Sequence, residues 1–124
     1  MLLADDHPGI LKVAQSLLKT DVDVVGCADN GESLFEAAMK LHPDVIVTDI
    51  SMPKLSGIDA VNRLRESGCQ SRIVFLTGHR DSDFVDAALK TGALGYVLKI
   101  SMATDLLFAI REALAGRVFV SLHG

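Results

Sequence analysis

The chain has 124 residues, of which 49% are hydrophobic and 23% charged, so we expect one folded domain rather than two domains or a disordered segment. A formal net charge of -4 leaves no basic surplus for neutralising nucleic-acid phosphates, so direct DNA binding by these residues is disfavoured. Cys27 and Cys69 lack the spacing of a disulfide framework or a zinc site, and we expect both to be buried thiols.

Short apolar segments rich in β-branched residues alternate along the chain with longer segments whose apolar residues recur at helical spacing. The predicted strands are, in chain order, residues 1–4, 22–27, 45–48, 73–76 and 96–98. The apolar positions of the predicted helices fall within residues 10–17, 34–41, 58–64, 85–89 and 106–113. A strand followed by a helix, repeated five times, predicts a parallel sheet with helices on both faces, an α/β sandwich.

Polar side chains follow four of the predicted strands at the point where each strand ends. Asp5 and Asp6 follow the first strand, Asp49 the third, Thr77 the fourth and Lys99 the fifth. Taken singly, Asp6 is equally suited to cap the first helix, and Asp49 and Thr77 are suited to turns. Because open parallel sheets bind ligands beyond the carboxyl ends of their strands, we expect the five side chains to converge on one edge.

The chemistry of this set follows from its charges. Carboxylates held close together repel one another unless a cation neutralises them. Mg²⁺ prefers oxygen ligands and combines one or two carboxylates with a phosphate. An aspartate beside such an ion can attack phosphorus and form an aspartyl-phosphate. Lys99 and Thr77 would then neutralise charge on the oxygens of the transferring group, so the set indicates phosphoryl transfer.

The motifs around these residues resemble the receiver domain of bacterial two-component response regulators. The resemblance runs from residue 2 to about residue 121, and the matching motifs lie at 2–8, 43–49, 52–57, 75–78 and 92–99. It implies a flavodoxin-like (βα)5 sandwich with strand order 2-1-3-4-5 and a receiver (phosphoacceptor) domain over residues 1–116. It also implies a signalling switch, not an enzyme, that assists its own phosphorylation and dephosphorylation.

The resemblance assigns a role to each residue of the predicted site. Asp49 would accept a phosphoryl group from a sensor histidine kinase. Asp5 and Asp6, with Asp49 and the main-chain carbonyl of Ser51, would bind Mg²⁺ or Mn²⁺. Lys99 would pair with the phosphoryl oxygens.

The resemblance also assigns residues to the conformational switch and to the control of the phosphate lifetime. Thr77 would move toward the phosphoryl group, and Tyr96 would turn inward when that hydroxyl moves. The alternative for Tyr96 is a ring half-packed on the sheet edge. Ser51 and His79 would border the path of the attacking water. We expect the side chains of both His7 and His79 to be exposed in loops.

Within the family, the sequence looks most like the branch whose receivers precede a LuxR-type helix-turn-helix domain. The similarity lies in the motifs at 5–8, 92–99 and 113–121. We therefore expect residues 117–124 to begin a linker to an output domain that this sequence does not contain. That domain would bind DNA and control transcription. A stand-alone or degenerate receiver remains the alternative. A nucleotide- or flavin-binding module is disfavoured because no glycine-rich phosphate loop follows the first strand.

The last predicted helix is more apolar than one core-facing stripe requires. Leu107 and Phe108 are apolar but are not needed for that stripe. We expect them to form a homodimer or domain contact, together with the first helix. The alternative for Phe108 is a position at the edge of the core.

The sequence departs from the family at three places. Ile100 follows Lys99 where many receivers have proline after a cis peptide bond, so this loop is expected to be strained or differently shaped. The first strand is short, and Gly78 replaces the common alanine in the loop that carries Thr77.

No apolar run is long enough to span a membrane, and no signal peptide is recognisable, so we expect a cytoplasmic protein without membrane contact.

Overall fold

Buried parallel strands form the centre of the fold in the computed structural model, which describes residues 1–121. Its strands are β1 (Leu2–Ala4), β2 (Gly26–Ala28), β3 (Val45–Thr48), β4 (Arg72–Thr77), β5 (Gly95–Leu98) and β6 (Phe119–Val120). Its α-helices are α1 (Pro8–Leu18), α2 (Gly31–Leu41), α3 (Gly57–Glu66), α4 (Ser82–Lys90) and α5 (Met102–Leu114). The predicted alternation of strand and helix is confirmed.

All neighbouring strands pair in parallel, in the order β2-β1-β3-β4-β5-β6. The predicted order 2-1-3-4-5 is therefore confirmed, with β6 added at the edge beside β5. Residues that alternate along β3 belong to different cores: Ile46 packs with α2, α3 and α4, whereas Val47 packs with α1 and α5. This alternation explains why the strands read as continuous apolar runs, since both faces of the sheet are covered.

The second predicted strand is longer than the one observed. Residues 22–25 precede β2, and Val25 is exposed although its N–H donates to the carbonyl of Met1 at 2.9 Å. Because β2 lies at the edge of the sheet, its residues have a neighbouring strand on one side only. Cys27 on this strand is exposed and Cys69 is half-buried, so the prediction of two buried thiols was wrong.

The segment after α5 docks on the sheet. The N–H of Phe119 donates to the carbonyl of Leu94, and the N–H of Ser121 to the carbonyl of Tyr96, each at 2.8 Å. The Ser121 hydroxyl also donates to Asp105 at 2.8 Å. The first part of the predicted linker, 117–121, is thus attached to the domain through β6, and residues 122–124 lie outside the described residues.

The segment after β5 is a short turn that contains Ile100. Residues Lys99–Ser101 form a single 3-10 turn that leads directly into α5, and Ile100 points into solvent. No cis peptide bond occurs within residues 1–121.

Among the same residues, none of the helices combines the length and the hydropathy of a membrane-spanning segment.

Gly57, the first residue of α3, lies against the backbone that follows β3. Its N–H donates to the carbonyl of Ile50 at 2.7 Å, and a Cβ at this position would collide with the carbonyl oxygen of Asp49. A backbone oxygen cannot swing aside as a side chain can. Only glycine therefore allows α3 to approach this closely.

We expect Gly57→Ala to lower the free energy of unfolding by about 2–3 kcal/mol, because the methyl group would force α3 away from Asp49. The measurement is urea unfolding followed by circular dichroism. Gly9→Ala is the matched control, since among the described residues nothing lies within 4 Å of a Cβ at this exposed position in the first turn of α1. It should be neutral or stabilising by up to about 1 kcal/mol. Equal effects of the two substitutions would contradict the close contact.

Candidate functional site

The carboxyl ends of β1, β3 and β5 bring three charged residues together. Ala4 pairs with Thr48 in the register of β1 and β3, so the next residues, Asp5 and Asp49, are neighbours at the same edge. The Lys99 ammonium follows β5 and lies 2.9 Å from Asp5 Oδ2 and 2.9 Å from Asp49 Oδ2. Residues far apart in the sequence therefore meet because parallel strands end at one edge.

Asp49 is buried, and its carboxylate is fixed at both oxygens. Oδ1 accepts a hydrogen bond from the N–H of Ile50 at 2.7 Å, and Oδ2 accepts one from Lys99 at 2.9 Å. The backbone is held as well, since the N–H of Asp49 donates to the carbonyl of Ala4 at 2.9 Å. The Thr48 hydroxyl donates to the Asp49 carbonyl at 2.9 Å. This carboxylate is pre-organised before any ligand arrives.

His7 joins the site, although the sequence predicted an exposed loop histidine for it. Its N–H donates to Asp5 Oδ1 at 2.9 Å, and its ring Nδ1 lies 3.0 Å from the same oxygen. The distance from Nδ1 to Asp6 Oδ1 is 3.2 Å. Exposure was predicted correctly, since 64% of the His7 side chain is accessible. His7 is also the N-cap residue of α1, so Asp6 does not take the capping position considered for it.

The acidic residues and His7 form a cluster with the spacing of metal ligands. One ligand atom from each of Asp5, Asp6, His7 and Asp49 lies within 4.8 Å of the others. Among residues 1–121, the buried side-chain oxygens without a hydrogen-bond partner are Asp5 Oδ2 and Asp6 Oδ1. Asp5 Oδ2 nevertheless forms an ion pair with the Lys99 ammonium at 2.9 Å, and Asp6 Oδ1 lies 3.2 Å from His7 Nδ1. With three carboxylates and one ammonium, the cluster fits a hard divalent cation.

Thr77 and Ser51 lie at the same edge but make their contacts with His79. Thr77 is fully buried, and its hydroxyl oxygen accepts a hydrogen bond from the N–H of His79 at 3.2 Å. The exposed Ser51 hydroxyl lies 2.7 Å from His79 Nε2. The His79 ring stacks on Phe84, with 4.1 Å between ring centroids. His79 is half-buried and has partners, which differs from the exposed loop histidine that the sequence predicted.

Tyr96 is turned inward. It is only 1% exposed, and its hydroxyl donates to the carbonyl of His79 at 2.7 Å, so the ring is not half-packed on the sheet edge. Burial, and then the charges of Asp81 and Asp49, raise its pKa from 10.0 to about 12. Each of these causes disfavours the phenolate.

Lys99 is held in its charged form by its partners. Burial lowers the pKa of its ammonium, but the contacts with Asp49 and Asp5 together raise that pKa by more, so it lies above the usual 10.5. The ammonium therefore remains protonated at neutral pH and balances part of the charge of the cluster.

The pKa of Tyr96 predicts how stability depends on pH. A pKa that is higher in the folded state than in the unfolded state contributes stability below pH 10, and this contribution is lost as the pH rises toward 12. We expect the ultraviolet absorbance of the phenolate to appear near pH 12 in the folded protein. The measurement is unambiguous because the chain has one tyrosine and no tryptophan. Titration near pH 10 while the protein is still folded would contradict the buried position.

Lys99→Met tests the ion pairs. We expect the free energy of unfolding at neutral pH, in the presence of a chelator, to fall by about 3 kcal/mol, because Asp5 and Asp49 would be left buried without their cation. Lys12→Met on the exposed side of α1 is the control and should change it by at most about 0.5 kcal/mol. Urea unfolding measures both variants. Similar losses in both would show that the ammonium does not compensate the buried carboxylates.

Comparisons with known proteins agree with this geometry. The family described as response regulator receiver domain matches residues 1–111. The nitrate/nitrite response regulator protein NarL of Escherichia coli K12 is 40% identical over 98% of this chain and 57% of its own length. YvfU of Bacillus subtilis, described as an uncharacterized transcriptional regulatory protein, is 39% identical over 96% of this chain and 61% of its own length. The chain thus spans about three fifths of the length of these curated relatives.

Solved structures give the same result. The signal receiver domain of the response regulator NarL from Mycobacterium tuberculosis has a TM-score of 0.88 at 30% identity, covering 94% of this chain and 95% of that one. The non-phosphorylated receiver domain of RcsB from Escherichia coli has a TM-score of 0.89 at 30% identity, covering 98% of this chain and 96% of that one. The chain belongs to the family of response regulator receiver domains.

Proposed function

We propose that this receiver domain is switched by phosphorylation of Asp49, with the phosphoryl group supplied by the phosphohistidine of a sensor histidine kinase. The phosphorus–nitrogen bond of the donor breaks as a carboxylate oxygen of Asp49 forms a bond to phosphorus. The observation that carries the proposal is the Lys99 ammonium, held 2.9 Å from the Asp49 carboxylate at the sheet edge. It places positive charge where the phosphoryl oxygens would arrive.

The proposed site also holds a divalent cation, Mg²⁺ or Mn²⁺. Its ligands would be Asp5, Asp6 and Asp49, together with the main-chain carbonyl of Ser51. Asp5 Oδ2 and Asp6 Oδ1 accept no hydrogen bond within residues 1–121, which supports this proposal because a cation would be a further partner for both. When bound, the cation supplies positive charge that offsets the approach of an anionic phosphoryl group to three carboxylates.

Lys99, Thr77 and Tyr96 transmit the change in the proposed mechanism. Phosphorylation adds roughly two negative charges to Asp49, and Lys99 turns from the carboxylates toward the phosphoryl oxygens. The Thr77 hydroxyl turns in the same direction and gives up its hydrogen bond with the N–H of His79. Because Tyr96 donates to the carbonyl of that same residue, the ring and the loop rearrange together.

Ser51 and His79 control the lifetime of the phosphate in this proposal, through the autodephosphorylation that the domain assists. Their side chains lie 2.7 Å apart, and each is two residues beyond a residue of the site, Asp49 or Thr77. A bonded pair of polar side chains in this position can hold or exclude the water that attacks phosphorus.

The output of the switch is proposed to be transcription. Relatives such as YvfU are named as transcriptional regulatory proteins and are longer than this chain. We propose that residues 117–124 lead to a DNA-binding domain of LuxR type that is outside this sequence, and that a homodimer forms through α1 and α5. Leu107 is half-buried, and Phe108 is 51% exposed despite its edge-on contact with Phe119 at 5.2 Å. Both remain available for such a contact.

Phosphorylation by a small donor tests the proposal directly. The protein is incubated with Mg²⁺ and acetyl phosphate, and its intact mass is measured after acid quenching. We expect the mass of one phosphoryl group to be added in the wild type, through a bond that is stable in acid and labile in base.

The matched variants are Asp49→Asn, which should not be labelled, and Asp86→Asn on the exposed side of α4, which should be labelled like the wild type. Labelling that persists in Asp49→Asn, or that is absent from the wild type, would overturn the proposed phosphoacceptor.

A further inference from the structure

Thr48 is the last residue of β3 and follows three apolar residues of that strand. It is fully buried, although a hydroxyl is costly to remove from water unless it has a hydrogen-bond partner. Valine has a similar branched shape and would not incur this cost. The partner of the Thr48 hydroxyl is the carbonyl oxygen of Asp49, 2.9 Å away. The hydroxyl therefore acts on the backbone of the proposed phosphoacceptor.

This hydrogen bond joins two residues that are adjacent in the chain, so it does not connect two elements of the fold. It fixes the orientation of the peptide group between Asp49 and Ile50. Asp49 lies beyond the last residue of β3 that pairs with β1 or β4. Gly57 lies against the same carbonyl oxygen, since a Cβ at that position would collide with it. The oxygen is thus held between the Thr48 hydroxyl and the first residue of α3.

The other end of this peptide group holds the carboxylate of Asp49. The N–H of Ile50 donates to Asp49 Oδ1 at 2.7 Å. Because a peptide group is planar, turning its carbonyl away from Thr48 would turn its N–H away from Oδ1. With Oδ1 fixed, Oδ2 is directed at the Lys99 ammonium, 2.9 Å away. The hydroxyl therefore influences, through one rigid peptide plane, the direction of both carboxylate oxygens.

We infer that Thr48 is a positioning residue for Asp49, because its hydroxyl orients the peptide group whose N–H fixes the carboxylate. The inference rests on the proposed phosphorylation of Asp49 and adds a residue that acts on the reaction through the backbone. A carboxylate that samples several rotamers is less often in position to attack phosphorus. Loss of the hydroxyl should therefore slow phosphoryl transfer.

Two substitutions separate the hydroxyl of Thr48 from its methyl group. Thr48→Val retains the branched shape and removes the hydroxyl, whereas Thr48→Ser retains the hydroxyl and removes the methyl group. We expect the rate constant for labelling by acetyl phosphate with Mg²⁺ to fall at least about threefold in Thr48→Val and to stay within about twofold of the wild type in Thr48→Ser. Urea unfolding should show that Thr48→Ser is less stable than the wild type, because the missing methyl group leaves a small cavity.

Thr91→Val is the matched control. Thr91 is 5% exposed, and its hydroxyl donates to the carbonyl of Ala88 at 2.6 Å, where α4 ends. This variant loses the same kind of buried hydrogen bond, but before the first residue of β5 and therefore away from the carboxyl edge of the sheet. We expect its rate constant for labelling to equal that of the wild type.

The amide proton of Ile50 reports the geometry without phosphoryl transfer. Its hydrogen bond to a carboxylate at 2.7 Å should place its nuclear magnetic resonance signal downfield in the wild type. We expect this signal to move upfield in Thr48→Val and to stay downfield in Thr48→Ser and Thr91→Val.

An unchanged Ile50 signal in Thr48→Val would overturn the inference, and so would labelling of this variant at the wild-type rate. Equal losses of labelling in Thr48→Val and Thr48→Ser would show that Thr48 matters only for packing, which also overturns it. Each of these results leaves Asp49 as the proposed phosphoacceptor. A wild type that is not labelled would overturn the proposed function instead, and the Ile50 signal would still decide whether Thr48 orients the peptide group.

Discussion

The site depends on one ammonium group held between two buried carboxylates at the carboxyl edge of a parallel sheet. Burial of Asp5 and Asp49 is tolerated because Lys99 lies 2.9 Å from both. The compensation is incomplete, since Asp6 adds a third carboxylate and two buried oxygens lack hydrogen-bond partners among residues 1–121. A site that is neutralised only in part suits the proposed cation, and in the proposed mechanism its ammonium follows the incoming phosphoryl group. Both properties are needed for phosphoryl transfer to an aspartate.

Strand β5 connects this interaction to the rest of the domain. Lys99 follows its last residue, and Tyr96 within it donates its hydroxyl to the carbonyl of His79 at 2.7 Å. The backbone carbonyl of Tyr96 accepts from the N–H of Ser121 at 2.8 Å, which is how the segment beyond α5 attaches to the sheet. The same short strand therefore contacts the site, the loop after β4 and the segment that leaves the domain. A shift of β5 would therefore change the contacts at the site, at the loop after β4 and at the segment that leaves the domain.

The sequence predicted those parts of the molecule that depend on buried apolar runs and on the polar residues directly after them. Asp5, Asp49 and Lys99 could be placed together because strand ends in a parallel sheet share an edge. It did not predict β6, because two residues are too few to show a period and their pairing depends on an open edge beside β5. The contacts of His7 were missed for another reason: they depend on the backbone angles of the N-cap residue, which residue spacing does not reveal.

His79 makes the proposed switch and the proposed lifetime of the phosphate interdependent. Its N–H donates to Thr77, its carbonyl accepts from Tyr96, and its ring contacts Ser51 and Phe84. Thr77 cannot turn toward a phosphoryl group without losing the hydrogen bond from that N–H. In the proposed switch, loss of that bond loosens the loop that holds His79 Nε2 2.7 Å from the Ser51 hydroxyl, where the attacking water is proposed to pass. A substitution at His79 that is chosen to change the decay of the phosphate would therefore also disturb the proposed switch, because the loop that carries the His79 ring also accepts the hydrogen bond from Tyr96.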